Sequence, residues 1–122
     1  MILIDSSGWI EFFSQGSRAL KYANYLKDLS QIITPTVVIY EVYKKIKKER
    51  TEEEALLAVS LMKKTSIIPI EESIALLAAD LSLKHTLPMA DAMVYATAVE
   101  NDADLITSDS HFTELEKVVL IR

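Results

Sequence analysis

The sequence predicts an α/β fold, a three-layer α/β/α sandwich with a central, mainly parallel sheet. Short apolar runs alternate with helix-periodic segments from one end of the chain to the other. The stretches between successive runs are long enough to hold helices, which parallel pairing requires because its crossovers are long and right-handed. The 122 residues, half of them hydrophobic and with only two Gly and three Pro, suit one compact domain over 1–122 without low-complexity segments.

Ile2-Leu3-Ile4 reads as a short buried strand, after which Ser6 or Ser7 caps a helix carrying Trp9, Ile10, Phe12 and Phe13. A second helix is expected from Ala19 to Leu29, followed by a brief strand Ile32-Ile33. Thr34 then serves as cap and Pro35 as first residue of the helix that carries Glu41. Thr51 and Glu54 have capping-box spacing and open a helix to about Lys64. Ser66-Ile67-Ile68-Pro69-Ile70 reads as an edge strand, since Pro cannot donate to a ladder. A helix from Ser73 to His85 is broken by Leu87-Pro88, and the next, Met89 to Asn101, holds Asp91 in its opening turn. A strand Asp104–Thr107, a short turn or helix from Asp109 through Leu115, and a last strand Val118–Ile121 complete the chain.

A net charge of −5 excludes a protein that grips nucleic acid through its overall field, so any RNA contact must be local. The basic run Lys44-Lys45-Ile46-Lys47-Lys48-Glu49-Arg50 reads first as a solvated helix end whose cations suit the C-terminal dipole, with a phosphate path as the alternative. With no Cys, disulfides and thiolate metal sites are excluded and a reducing compartment is permitted. The apolar start is cut by Asp5, too early for a signal-peptide core or a membrane span, so a cytoplasmic location is expected.

Ligands of open α/β sheets bind outside the carboxyl ends of the strands, near the switch in strand order. Asp5 ends the first strand, Asp109 follows the fourth, Asp91 starts the helix leading into the fourth, and Glu41 lies in the helix after the second. All four can face one edge. Each alone has an ordinary explanation, because Asp is common at helix starts and a dipole contact contributes roughly 0.3–1 kcal/mol. Together they would repel: two carboxylates 4 Å apart cost about 4 kcal/mol at an effective dielectric of 20, so a cation is the natural complement. Oxygen donors without His or Cys select hard ions, which makes Mg²⁺ (or Mn²⁺) the expected cofactor and phosphoryl transfer the expected chemistry. His85 and His111 are far apart in sequence, offer no nucleophile–base pair, and are read as surface or capping residues. The aromatic stripe Trp9, Phe12, Phe13, Tyr22 and Tyr25 fits either plain core or an interaction groove.

Four ordered stretches carry a further resemblance: Ile4-Asp5-Ser6-Ser7-Gly8-Trp9-Ile10-Glu11, Tyr40-Glu41-Val42, Ala90-Asp91-Ala92 with Ala96-Thr97-Ala98, and Leu105-Ile106-Thr107-Ser108-Asp109 followed by Phe112. Over essentially its whole length the chain resembles the PIN-domain family, and within it the VapC-type toxin ribonucleases of toxin–antitoxin pairs. The resemblance implies that Asp5, Glu41 and Asp91 bind metal, that Asp109 completes the acidic ring directly or through water, and that Thr107 and Ser6 support them. It also implies RNA cleavage, inhibition by a cognate antitoxin whose chain occupies the toxin's groove, and frequent homodimers. Many relatives place another acid two residues beyond Asp109, where this chain has His111, which leaves a second metal ion without its expected support.

Two competing readings come from other classes. A Mg²⁺-binding receiver domain also gathers acids at the carboxyl edge of an α/β sheet, but it needs adjacent acids after its first strand and a Lys after its fifth, and neither is present. A nonenzymatic PIN-like module that binds RNA or a partner would not need all four acids, and all four are retained.

Overall fold

The computed structural model describes residues 1–122. Its strands are β1 (Ile2–Ile4), β2 (Ile32–Pro35), β3 (Ser66–Ile68), β4 (Asp104–Thr107) and β5 (Val118–Leu120). Its helices are α1 (Ser6–Phe13), α2 (Ala19–Ala23), α3 (Thr36–Glu49), α4 (Glu52–Met62), α5 (Glu72–His85) and α6 (Met89–Glu100). The strands form one sheet in the order β3-β2-β1-β4-β5, every neighbouring pair parallel. Leu3 stands opposite Ile33 on one side and Leu105 on the other. The central strands are near-continuous apolar runs because helices cover both faces of the sheet. This order differs from the 2-1-3-4-5 order of receiver-type sheets, which removes the receiver reading.

Local chemistry moved several boundaries. The cap of α1 is Asp5, not Ser6 or Ser7: its Oδ1 accepts the Ser6 N–H at 2.8 Å. The expected second helix ends at Ala23 and continues as short 3-10 turns at Asn24–Leu26 and Leu29–Gln31, the latter capped by Asp28. Thr34 and Pro35 belong to β2 rather than to the start of α3, because the Thr34 hydroxyl is buried against Thr65 at 2.6 Å and is not free to cap. Thr51 does cap α4, accepting the Glu54 N–H at 3.1 Å. The Leu87-Pro88 break is sharpened by Thr86 in the left-handed region (φ 57°) and by a Ser82 hydroxyl donating to the Leu87 carbonyl at 2.7 Å.

The core is a single cluster in which Trp9, Tyr22 and Phe112 are the largest fully buried side chains, packed with Leu3, Ile4, Ile33, Leu105 and Ile106. Each such burial contributes about 1.5–3 kcal/mol. Gly8 lets α1 approach closely: a Cβ there would fall 2.5 Å from Tyr22 Cε1 and 2.7 Å from Ile4 Cγ2. Trp9 and Tyr22 are therefore core, whereas Phe12, Phe13 and Tyr25 are only half-buried.

Candidate active site

The chain leaves β1 towards β2 and leaves β4 towards β5, on opposite sides, so the switch point opens between the carboxyl ends of β1 and β4. Asp5 follows β1 and Thr107 ends β4, and the backbone joins them: the Asp5 N–H donates to the Ile106 carbonyl at 3.0 Å. Asp5 is only 3% exposed. Its two oxygens are held separately, Oδ1 by the Ser6 N–H and Oδ2 by the Thr107 hydroxyl, each at 2.8 Å. The same Thr107 oxygen accepts the Asp109 N–H at 3.0 Å, so one hydroxyl positions two of the acids.

Asp109 caps the 3-10 turn Ser110–Phe112, its Oδ1 accepting the His111 N–H at 2.9 Å. That turn swings the His111 ring back over the strand end, where Nδ1 lies 2.8 Å from Asp91 Oδ2 and 3.3 Å from Asp109 Oδ1. Asp91 comes from the first turn of α6, where the helix dipole favours a carboxylate. Glu41 is on α3, half-buried and near the Ser6 side chain. Nearby, the Tyr22 hydroxyl donates to Ser108 Oγ at 3.0 Å, tying α2 to the loop after β4.

The electrostatics are those of acids confined together. Burial pushes the Asp5 carboxyl up from 3.8 to about 6, against the Thr107 and Ser6 bonds, with the charges of Asp91 and Glu41 adding to the rise. Burial also raises Glu41, where the Ser6 side chain opposes it and Asp91 and Asp109 reinforce it. Asp91 is raised by burial and then by the charge of Asp109, with the His111 bond opposing. His111 is raised in turn by its bond to Asp91 and by the charge of Asp109. The charge of Asp91 raises both Asp5 and Glu41, and that of Asp109 raises Glu41 and Asp91, so these acids lie near enough to feel one another.

This donor set fits a hard divalent cation. One donor atom each from Asp91, Asp109 and His111 lie within 4.8 Å of one another. Carboxylate oxygens of Asp91 and Asp109 are the donors a hard cation prefers. The 2.8 and 3.3 Å contacts from the His111 ring to these two acids are a hydrogen bond and an ion pair that a cation between them would displace.

Thr107 joins Asp5 to Asp109 and His111 joins Asp109 to Asp91, whereas Glu41 is linked to the other acids only through its charge and, like Asp5, stands outside the Asp91–Asp109–His111 group. His111 is the residue that sequence reasoning passed over. Its signal was the Asp109–Ser110–His111 spacing, because an Asp that caps its second-next N–H brings that residue's side chain back toward the strand it left.

A profile of the PIN domain matches residues 2–118. The chain belongs to the PIN-domain family. Among solved structures this PIN domain is similar to a toxin–antitoxin complex from Klebsiella pneumoniae, with 28% identity, a TM-score of 0.81, and coverage of 98% of this chain and 96% of that one. It is also similar to VapC20 of Mycobacterium tuberculosis, described as a Sarcin-Ricin loop cleaving toxin, at 12% identity and TM-score 0.75 over 86% and 87% of the two chains. VapBC2 from Rickettsia felis, bound to a DNA fragment from its promoter, matches at 14% identity and TM-score 0.76 over 99% and 98%. No protein of curated function matches the sequence. No helix of this PIN domain is long and apolar enough to cross a membrane.

Proposed function

We propose that this single PIN domain is a metal-dependent endoribonuclease, the toxin of a type II toxin–antitoxin pair, acting in the cytoplasm. The observation that carries the reading is the bonded series Asp5–Thr107–Asp109–His111–Asp91 at the sheet switch point, with Glu41 on α3 near enough to feel the charges of Asp91 and Asp109. A like-charge cluster built around one buried acid, Asp5, with the others half-buried, carries a cost to the fold, and a cation-dependent reaction gives it a use.

Asp5, Glu41 and Asp91 hold Mg²⁺ (or Mn²⁺) in this scheme. The bound ion supplies charge neutralisation at the phosphodiester and polarisation of water. Ser6 orients Asp5 through its N–H, and its side chain lies near Glu41. Thr107 keeps Asp5 and Asp109 in register. Asp109 accepts a hydrogen bond from the attacking water and aligns it opposite the leaving 3′ oxygen, so hydrolysis leaves a 5′-phosphate and a 3′-hydroxyl.

The cognate antitoxin is the expected protein partner. A groove of about 370 Å³ lined in part by Phe13, Ile46, Leu57 and Leu61 gives an amphipathic segment an apolar seat. Exposed Leu76 and Leu83 on α5 and Met89 on α6 support a homodimer.

The test is cleavage of a mixed pool of small structured RNAs by purified protein with Mg²⁺, with EDTA, and with Asp91→Asn shown to be folded by circular dichroism. Cutting that requires Mg²⁺ and disappears in the folded variant is expected. Products ending in 2′,3′-cyclic phosphate, or undiminished cutting by Asp91→Asn, would overturn the scheme.

A further inference from the structure

Helix α3 carries a row of side chains leading away from the acid cluster. Tyr40, Lys44 and Lys48 recur every fourth residue and so share one face, and Tyr40 adjoins Glu41, one of the site acids. Tyr40 is 59% exposed. The Lys44 ammonium sits 5.3 Å from its ring centroid and 3.2 Å from its hydroxyl. Tyr40, Glu41, Lys44, Lys45 and Lys48 together line a shallow cleft of about 240 Å³.

The other cations of the basic run are already matched: Lys45 with Glu49 at 2.9 Å, Lys47 with Glu52 at 3.3 Å, and Arg50 with Glu54 at 3.8 Å. Lys44 and Lys48 make no ion pair with a carboxylate. A solvated helix end accounts for Lys47 and Lys48, which lie in the last turn, but not for Lys44 in mid-helix or for an exposed ring beside the site. On a chain of net charge −5 whose site is itself acidic, a polyanion needs a local cationic approach. A flat aromatic surface followed by lysines at intervals of about 6 Å along the helix axis matches the chemistry of single-stranded nucleic acid, which stacks its bases and neutralises its backbone.

We propose that the Tyr40–Lys44–Lys48 face of α3 is the track by which single-stranded RNA enters the acid cluster, one base stacking on Tyr40 and successive phosphates meeting Lys44 and Lys48. This rests on the ribonuclease reading.

The experiment is fluorescence anisotropy of a fluorescein-labelled single-stranded RNA of mixed sequence, titrated in EDTA at several salt concentrations, alongside the cleavage assay in Mg²⁺. Lys44→Ala/Lys48→Ala should weaken binding about ten-fold and reduce the slope of log affinity against log salt by about 1.4, close to 0.7 per phosphate contact. Tyr40→Ala should weaken binding roughly ten-fold with the slope unchanged, and Tyr40→Phe should restore it, since stacking needs only the ring. Lys63→Ala/Lys64→Ala, beyond the end of α4, is the control for net charge and should bind as the parent does. Unchanged affinity and slope in Lys44→Ala/Lys48→Ala, with the parent still binding and cutting RNA, overturns the track, leaves the nuclease reading intact, and assigns the face to an acidic protein segment. Equal losses in the control pair overturn it as a bulk charge effect. A parent protein that neither binds nor cuts any RNA overturns both.

Discussion

The ring nitrogen Nδ1 of His111 lies 2.8 Å from Asp91 Oδ2, which puts an imidazole in direct contact with an acid expected to hold the metal. Any cation entering between Asp91 and Asp109 must displace that contact and whatever proton it shares. Mg²⁺ affinity should therefore fall as pH is lowered from about 8 to about 6, and binding should release protons. Isothermal titration in buffers of different ionisation enthalpy checks this. A heat independent of the buffer, and an affinity independent of pH, would contradict it.

Without metal, the same groups set a pH dependence of stability whose sign follows from their shifts. The folded pKa of Asp5, about 6, exceeds its ordinary 3.8, so the folded chain binds the proton more tightly than the unfolded chain does. That stabilisation is fully present below the unfolded value and is lost as pH rises through about 6. His111 acts in the same sense, its contribution present below its ordinary 6.5 and lost as pH rises through its raised value. Denaturant midpoints in EDTA should rise as pH is lowered from about 8 to about 5, Asp5 contributing on the order of 1 kcal/mol over that window because the rest of its effect develops only as pH falls further towards 3.8. Saturating Mg²⁺ should abolish the trend by stabilising the ionised cluster at neutral pH.

Thr107 is fully buried, donates to Asp5 and accepts from Asp109. Thr107→Val keeps the shape and removes both bonds. Mg²⁺ affinity should drop about 10–100-fold, as for other residues that orient metal ligands, and its pH dependence should move upward because the Asp5 carboxyl loses a bond that holds its pKa down. Thr107→Ser should recover most of the loss. Calorimetric Mg²⁺ titration of the three proteins separates these outcomes from a fold defect.

Gly8→Ala should destabilise the protein although Ala is the better helix former. The helix gain is about 1 kcal/mol, whereas overpacking a tight core costs about 1–3 kcal/mol. The added carbon would meet fully buried Tyr22 and Ile4 at under 3 Å, so the upper end applies and the clash wins. A thermal melt checks the sign, and a raised Tm would show that Tyr22 can move aside.

The sheet was legible because it depends on patterns along the chain: apolar runs mark buried parallel strands, and the switch-point rule says at which edge the proposed acids belong. What escaped depended on the third dimension. Ser6 and Ser7 are better cap candidates than Asp5 by position alone, but Asp5 stands where β1 stops, and its carboxylate meets the first free N–H of α1. Thr34-Pro35 has the look of a helix start until Thr65 appears across from it, 31 residues away, and claims the hydroxyl. His111 was set aside as a residue far from any partner, whereas Asp91 is a neighbour only after α6 and β4 bring it back.

Asp5 follows the strand in the middle of the sheet, yet the hydroxyl that holds its carboxylate is 102 residues further along. Contacts of such separation close late, after the shorter-range helix pairs have formed. A chain cut before β4 therefore keeps Asp5, Glu41 and Asp91 but loses the hydroxyl that orients the Asp5 carboxylate.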